Sequence, residues 1–423
     1  MVTFHFLDER KKEEGRNGFF YIKYLRHMAE RLGLCWCGGE KKHFHDLPTN
    51  NNSEEYSWVQ MADTQLGMME AFKRVQWKRC FVSAATLGHL KFPPLLEDDD
   101  DNDDDGDERN DSTASPPLTS LTLKELTERE LELAKLAVAA LNRLDPPPAF
   151  AVVCGDLVHA FPDADPEAHA LQVAEFKRVF AKVKPEIPLI CVCGNHDIGE
   201  RPTPATLSGW RQEFGSDRFV FWVGGKDKYI VLNSQLYKDG SGALEESREQ
   251  NEWFDAALNE EPPADSSSSS SSSAVKQYAR HTVILSHIPP FISDPFEPSG
   301  YFPLEKGVRL DLLERAARGG ATHWFAGHYH RNAGGCYVTT AGASDSISSA
   351  SLEVVTTAAL GGNLTTEETG DPLGLTGIRG VTASENSSGL RLVTVRSGKN
   401  ENDGSRSSKS SISHKFLSLK DLA

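Results

Sequence analysis

No run of 18 apolar residues occurs in the chain, and a helix crossing a bilayer needs about 20, so the sequence predicts no membrane span. Nor is there a basic stripe. Lys and Arg number 45 against 61 Asp and Glu, a formal net charge of −16. Nucleic acids and anionic membranes are held mainly through clustered cations, so neither is expected as the main partner. Cysteine is sparse and odd in number, seven in 423 residues. Cys154, Cys191 and Cys193 lie inside apolar runs, which reads as buried free thiols of a reducing compartment and predicts a cytoplasmic protein rather than a disulfide framework. Charges begin at Asp8, leaving no room for the ~7–15 apolar residues of a secretory leader. The sequons at Asn51 and Asn363 are then expected to be chance occurrences. No internal repeat is visible.

The acidity that is present is local. Ten of the twelve residues from Glu97 to Glu108 are acidic, and without them the net charge is about −6. This run continues into a Ser/Thr/Pro-rich stretch from Asn110 to Pro117, which offers too little apolar surface to offset its ordering entropy. Residues of about 88–118 are therefore expected to be disordered, acting either as a solvated spacer or as a dock for basic protein surfaces. Pro262-Pro263 and eight consecutive serines, Ser266 to Ser273, mark 261–274 as a second insertion, and polar residues 397–411 form a third. Residues 1–50 read as an N-terminal extension without an assigned role. It carries a helical pattern around Tyr21 to Leu34 and a Cys35-Trp36-Cys37 pair with His43 and His45, whose spacing does not match a zinc finger. Residues 51–423 make up the domain.

Between the insertions, strand-like runs alternate with helical ones. Short β-branched or aromatic runs fall at Ser57 to Ala62, Phe150 to Cys154, Pro188 to Cys193, Tyr229 to Asn233, His281 to Ser286, His323 to Ala326, Leu352 to Ala358 and Leu390 to Val395. A helix is predicted after a Thr122/Glu125 capping box, with Leu133, Leu136, Ala137, Ala140, Leu141 and Leu144 on its buried face. Further helices are predicted over about Pro166 to Lys184, Glu246 to Leu258 and Leu304 to Arg318. The alternation predicts an α/β fold in which two sheets pack inside helices.

Five of these runs end in side chains that bind metals: Trp58-Val-Gln-Met-Ala-Asp63-Thr-Gln65, Val152-Val-Cys-Gly-Asp156, Ile190-Cys-Val-Cys-Gly-Asn195-His196-Asp197, Val283-Ile-Leu-Ser-His287 and Trp324-Phe-Ala-Gly-His328-Tyr-His330. Ligands of open α/β sheets bind beyond the carboxyl ends of the strands, so five such endings can converge on one pocket. Glycine before Asp156, Asn195 and His328 suits a chain turning sharply as it leaves a sheet. Mixed imidazole, amide and carboxylate donors favour Mn, Fe or Zn over an all-oxygen Mg or Ca cage.

Gly155-Asp156, Gly194-Asn195-His196-Asp197, His287 and Gly327-His328-Tyr329-His330 resemble, in order, the motifs of the calcineurin-like metallophosphoesterase superfamily. The stretches ADTQLG (62–67), CGDLVHA (154–160), GNHDIG (194–199), FWVGG (221–225), VLNSQ (231–235) and AGHYHRNAGG (326–335) are similar to its calcineurin-like phosphoesterase domain-containing protein 1 group. The resemblance implies a β-sandwich of two mixed sheets flanked by helices, with a two-metal site at the C-terminal strand ends. It implies one ion on Asp63, Gln65, Asp156 and His330, and the other on Asp156, Asn195, His287 and His328. It further implies a phosphomonoesterase, a serine/threonine protein phosphatase with a phosphoprotein substrate, working by in-line attack of a metal-bridging hydroxide. His196 then serves as the acid for the leaving oxygen or as an outer positioning donor. A phosphodiesterase or nucleotide hydrolase, and a non-catalytic scaffold, are the alternatives on the same fold. Gln65 stands where most members carry His. His159 stands where phosphatases of the calcineurin type carry an Asp that orients the catalytic His, so the resemblance implies no carboxylate behind His196 there. Arg331 and Asn233 are weaker candidates for substrate contact, and Asp197 for fixing the loop.

Overall fold

A computed structural model describes residues 44–47, 55–68, 123–263, 278–339, 349–366, 378–398 and 410–423. The Tyr21 to Leu34 helix, the Cys35/Cys37 pair, Asn51 and the acidic run lie outside these residues, as do most of the serine and 397–411 insertions.

Along the chain come the strands β1 (Phe44–Leu47), β2 (Glu55–Met61), β3 (Ala151–Cys154), β4 (Leu189–Val192), β5 (Phe219–Val223), β6 (Asp227–Val231), β7 (His281–Leu285), β8 (Ala321–Ala326), β9 (Ala333–Val338), β10 (Ser351–Thr356), β11 (Asn363–Thr366), β12 (Ile378–Thr382), β13 (Gly389–Arg396) and β14 (Ser411–Ser418). The helices are α1 (Leu123–Arg143), α2 (Pro166–Phe180), α3 (Asn195–Ile198), α4 (Pro204–Phe214), α5 (Gln235–Asp239), α6 (Leu244–Asn259) and α7 (Lys306–Arg318). Among the described residues, one sheet has the order β1-β5-β6-β7-β8-β10-β9 and the other β14-β13-β2-β3-β4. β6, β7, β8 and β10 run parallel in the first, and β2, β3 and β4 in the second. Their carboxyl ends therefore emerge together.

The apolar pattern of the strands dictates a layered core. Between the sheets, Trp58, Phe150, Phe221, Tyr229 and Phe325 form a continuous aromatic cluster with ring centroids 4.9–5.8 Å apart, spacings at which offset and edge-on rings attract. On the outer face of the smaller sheet lie Leu133, Ala137 and Leu141 of α1 with Val173, Phe176 and Phe180 of α2. Phe254 of α6 and Leu312 and Leu313 of α7 cover the larger sheet. α2 starts as its sequence dictates: Asp165 accepts from Ala168 N at 3.0 Å and Pro166 occupies the first turn, where a missing N–H costs nothing. α6 ends on a buried cation, because Lys228 Nζ donates to the carbonyls of Ala257, Leu258 and Glu260 at 2.7–3.1 Å.

The eight expected strand runs are all strands, and the α/β sandwich inside helices is the architecture found. Some expectations need correction. Leu136 is 41% exposed, because the buried stripe of α1 runs through Leu133, Ala134, Ala137, Val138 and Leu141 instead. β1 pairs with β5, so the larger sheet begins ahead of residue 51. Asn363 is buried, with its amide bonded to the backbone at Ala359 and Ser387, which keeps that side chain from glycosylation. Among the described residues no helix is long and apolar enough to cross a membrane.

At one edge of the sandwich the inter-sheet layer turns polar. Glu353 of β10 accepts from His323 Nε2 of β8 at 3.3 Å and from His414 Nε2 of β14 at 3.2 Å. Arg391 of β13 donates to His414 Nδ1 at 2.9 Å and to Asn332 Oδ1 at 2.6 Å. The histidines beside Glu353 hold its carboxyl well below the usual range.

Candidate metal centre

The loops leaving β2, β3, β7 and β8 are knitted to one another by backbone bonds, Asp63 N to Gly155 O, Gln65 N to Asp156 O and Gly327 N to His287 O, at 2.9–3.0 Å. Gly155 makes the sharp turn, at φ +80°, and a Cβ there would stand 2.3 Å from the His287 ring. Gly194 serves differently from the expected turn: its φ is an ordinary −112°, but a Cβ would stand 2.2 Å from Asp156 Oδ1. Among the described residues, the non-glycine positions with positive φ are Asp63, Gln65, Asp156, His328 and His330, at +35° to +66°. L-residues avoid that region at a cost of about 1–3 kcal/mol each, so the strain of the backbone is concentrated on five candidate ligands.

These side chains meet out of reach of the surface, each of them buried. Asp156, His287 and His328 present ligand atoms within 4.8 Å of one another, and so do Asp63, Asp156 and His330, with Asp156 common to both groups. His287 donates Nδ1–H to Cys154 O at 2.9 Å, which leaves Nε2 with a lone pair. That lone pair faces Asp156 Oδ1 at 3.2 Å, Asn195 Oδ1 at 3.1 Å and His328 Nδ1 at 3.1 Å. With the His328 proton on its Nε2, four lone-pair atoms crowd one point, and a positive charge relieves them: a proton on His287 Nε2 or a metal ion.

In the second group His330 donates Nδ1–H to Gly362 O, which turns Nε2 toward Asp63 Oδ1 at 3.4 Å. Asp63 also accepts the His328 backbone N–H at 3.0 Å. Gln65 gives its Nε2 to Asp156 Oδ2 at 3.1 Å, and its buried Oε1 is left without a partner, as is His328 Nε2. Buried atoms of this kind are normally satisfied, so the Gln65 oxygen fits a cation, while His328 Nε2 carries that ring's proton when Nδ1 accepts.

Electrostatics agree with that fit. Burial holds the His330 ring down at about 4 and depresses His328 strongly, so both offer neutral nitrogens at neutral pH. Burial also pulls on His287, but Asp156 and Asp63 outweigh it and push the ring up to about 9. Burial alone would raise the Asp156 carboxyl; the imidazoles led by His287 instead keep it well below the usual range. Burial raises Asp63.

Not every candidate joins the pocket as a donor. Asp197 accepts from Gly194 N at 2.8 Å and Leu157 N at 3.0 Å, which ties the β3 and β4 loops together. Burial and then Asp156 push its carboxyl up to about 8. Asn233 is buried and donates to Asp217 at 3.0 Å. Arg331 lies over the Tyr329 ring at 4.3 Å and donates to its hydroxyl at 3.2 Å.

His196 stands half-buried beside the pocket, with its backbone N–H on Asp156 Oδ1 at 3.0 Å. Its Nδ1–H donates to the carbonyl of His159, and its ring stacks on His159 at 4.9 Å and Phe161 at 4.2 Å. The question raised by His159 is thereby answered by its backbone: a carbonyl fixes the tautomer and orientation of His196 without a carboxylate. The His159 ring itself is held down at about 3 by burial and then by His196. Phe161, Glu200 and Tyr301 are neighbours of this site that sequence reasoning missed.

The sequence model of the calcineurin-like phosphoesterase family matches residues 132–332, the span from α1 through the second histidine pair. A serine/threonine-protein phosphatase CPPED1 of Danio rerio is 41% identical over 210 residues, 50% of this chain and 63% of that protein, which is less than two thirds of its length. The Bos taurus protein of the same name is 34% identical over 296 residues, 70% of this chain and 76% of its own. Among solved structures, purple acid phosphatase PPD1 from yellow lupin superposes with a TM-score of 0.42 at 14% identity, over 89% of this chain and 56% of that one. With that match to three quarters of a relative, and with the motifs meeting at the strand ends, the chain belongs to the calcineurin-like phosphoesterase family, in the group of the CPPED1 proteins.

Proposed function

We propose that the protein is a metal-dependent phosphomonoesterase that removes phosphate from phosphoserine and phosphothreonine in proteins. The observation that carries this reading is the crowding of three polar atoms, from Asp156, Asn195 and His328, around His287 Nε2, with Asp156 shared between two ligand groups. We assign one ion to Asp63, Gln65, Asp156 and His330 and a second to Asp156, Asn195, His287 and His328, with Mn, Fe or Zn suited to the mixed donors. Two such ions, when bound, supply Lewis acidity toward the phosphoryl oxygens and a water acidic enough to attack near neutral pH.

The rest of the chemistry belongs to the chain. A serine or threonine alkoxide is a poor leaving group and needs a proton as it departs. His196 supplies it from Nε2, the ring nitrogen left over once Nδ1–H is committed to the His159 carbonyl. The rings of His159 and Phe161 on its faces keep it from swinging away. The names of the CPPED1 relatives support a phosphoprotein substrate. The cytoplasm is proposed as the location, supported by free, buried thiols at Cys154, Cys191 and Cys193.

The test is hydrolysis of p-nitrophenyl phosphate beside bis-p-nitrophenyl phosphate by metal-stripped protein titrated with Mn. Mn-dependent turnover of the monoester, followed by release of phosphate from phosphoserine peptides, is expected. Preference for the diester, or silence on both, overturns the proposal.

A further inference from the structure

An amide side chain such as Asn195 has two ends of the same shape and opposite character. Only one of them, Oδ1, can face a cation. What decides the orientation here is Glu200, five residues on and beyond the recognisable motif. Its Oε1 lies 2.9 Å from Asn195 Nδ2. A carboxylate accepts and does not donate, so the nitrogen must face Glu200 and Oδ1 must face His287 Nε2, 3.1 Å away. With the amide reversed, its N–H groups would satisfy His287 Nε2 locally, and a donor would stand where the second ion needs an acceptor.

The same Glu200 oxygen accepts the Tyr301 hydroxyl at 3.0 Å. The Tyr301 ring in turn lies 5.2 Å from that of His328. The Glu200 backbone carbonyl accepts Gln235 Nε2 from α5. One exposed carboxylate thus joins the Asn195 loop to the loop that follows β7, each bordering the same proposed ion.

We propose that Glu200 is a positioning residue of the metal centre: it fixes the amide of Asn195 with its oxygen inward, and Tyr301 holds Glu200 in place. This rests on the metal-centre reading given above. Partners of this kind typically change metal affinity about 10- to 100-fold.

The experiment is calorimetric titration of Mn into the metal-stripped full-length chain, with circular dichroism to confirm that each variant is folded. Glu200→Ala is expected to weaken one Mn site about 10- to 100-fold, and Glu200→Gln, which keeps an accepting oxygen, to restore most of the loss. Tyr301→Phe should weaken the same site by less than Glu200→Ala does. In an Asn195→Ala background, Glu200→Ala should add almost nothing, since the group it positions is gone. Unchanged affinity in Glu200→Ala overturns the proposal, as does a Gln variant as weak as Ala or a loss that persists in full without Asn195. Wild-type protein that binds no Mn overturns the metal centre itself, an outcome distinct from normal binding in both wild type and Glu200→Ala.

Discussion

At the strand ends, His287 Nε2 faces three other polar atoms at 3.1–3.2 Å with at most one proton to share among them. At the sheet edge, Glu353 receives a proton from each of two histidines, and His414 Nδ1 receives one from Arg391. Both clusters set two histidines against a carboxylate and an amide at similar distances, and the edge adds an arginine. What differs is the proton count: donors are in good supply at the edge and fall short at the strand ends. The backbone differs too, since His323, Glu353, Arg391 and His414 lie in regular strands while five members of the other group have positive φ. A histidine–carboxylate cluster that closes its own hydrogen bonds is a brace, and one that cannot is a receptor for a cation.

The comparison can be broken first at Asp156, the carboxylate common to both ligand groups. Asp156→Asn should lower turnover of p-nitrophenyl phosphate by about 10³-fold or more, equivalent to about 4 kcal/mol of lost stabilisation, with less Mn retained by the folded protein. Metal analysis beside steady-state kinetics checks this. His196→Ala should cost about 10²-fold or more in kcat on phosphoserine peptides and less on p-nitrophenyl phosphate, whose leaving group needs little protonation. Its Mn affinity should match wild type, because His196 is not among the proposed ligands.

A smaller effect is expected from Phe161→Ala. Loss of a ring stack of about 1 kcal/mol should lower kcat roughly fivefold and leave KM and Mn affinity unchanged, with Phe161→Trp restoring most of it. The edge brace should behave in the opposite way. Glu353→Gln should leave kinetics untouched and reduce unfolding free energy by about 1 kcal/mol at pH 7, modest because the pair is partly exposed. The folded carboxyl of Glu353 is depressed, so its contribution is full above the unfolded value of about 4.3 and fades as the pH falls below it. Urea titrations of both proteins should therefore converge in acid. A gap that is constant from pH 7 to pH 3 would show that charge is not what Glu353 contributes.

Much of this was legible in the sequence, for identifiable reasons. β3, β4 and β7 are short β-branched runs, and the ligand candidates stand directly at their ends beside small residues. β9 was not legible: Ala-Gly-Gly-Cys-Tyr-Val has little strand propensity and becomes a strand through its pairing with β10. In α1 the helical period and most of the buried face were right, with Leu133, Ala137, Ala140 and Leu141 buried, but Leu136 points outward while Ala134 and Val138 take its place in the core. Phe161 and Tyr301 were invisible because their roles depend on contacts made after folding; Tyr301 meets Glu200 across 101 residues of chain. The support of His196 escaped for another reason, that it comes from a main-chain carbonyl, which every residue has.

The buried cap on α6 bears on the serine-rich segment that follows. Lys228 holds the chain on its way out, through the Glu260 carbonyl, and Lys226 holds it on its return, through the Arg280 amide at 2.8 Å. Exit and return are thus fastened to residues two apart, and the entropy of closing a longer connection rises only slowly with its length. A reporter domain spliced among Ser266 to Ser273 should therefore leave Mn binding at the strand ends unchanged, making this a natural place to tag the protein.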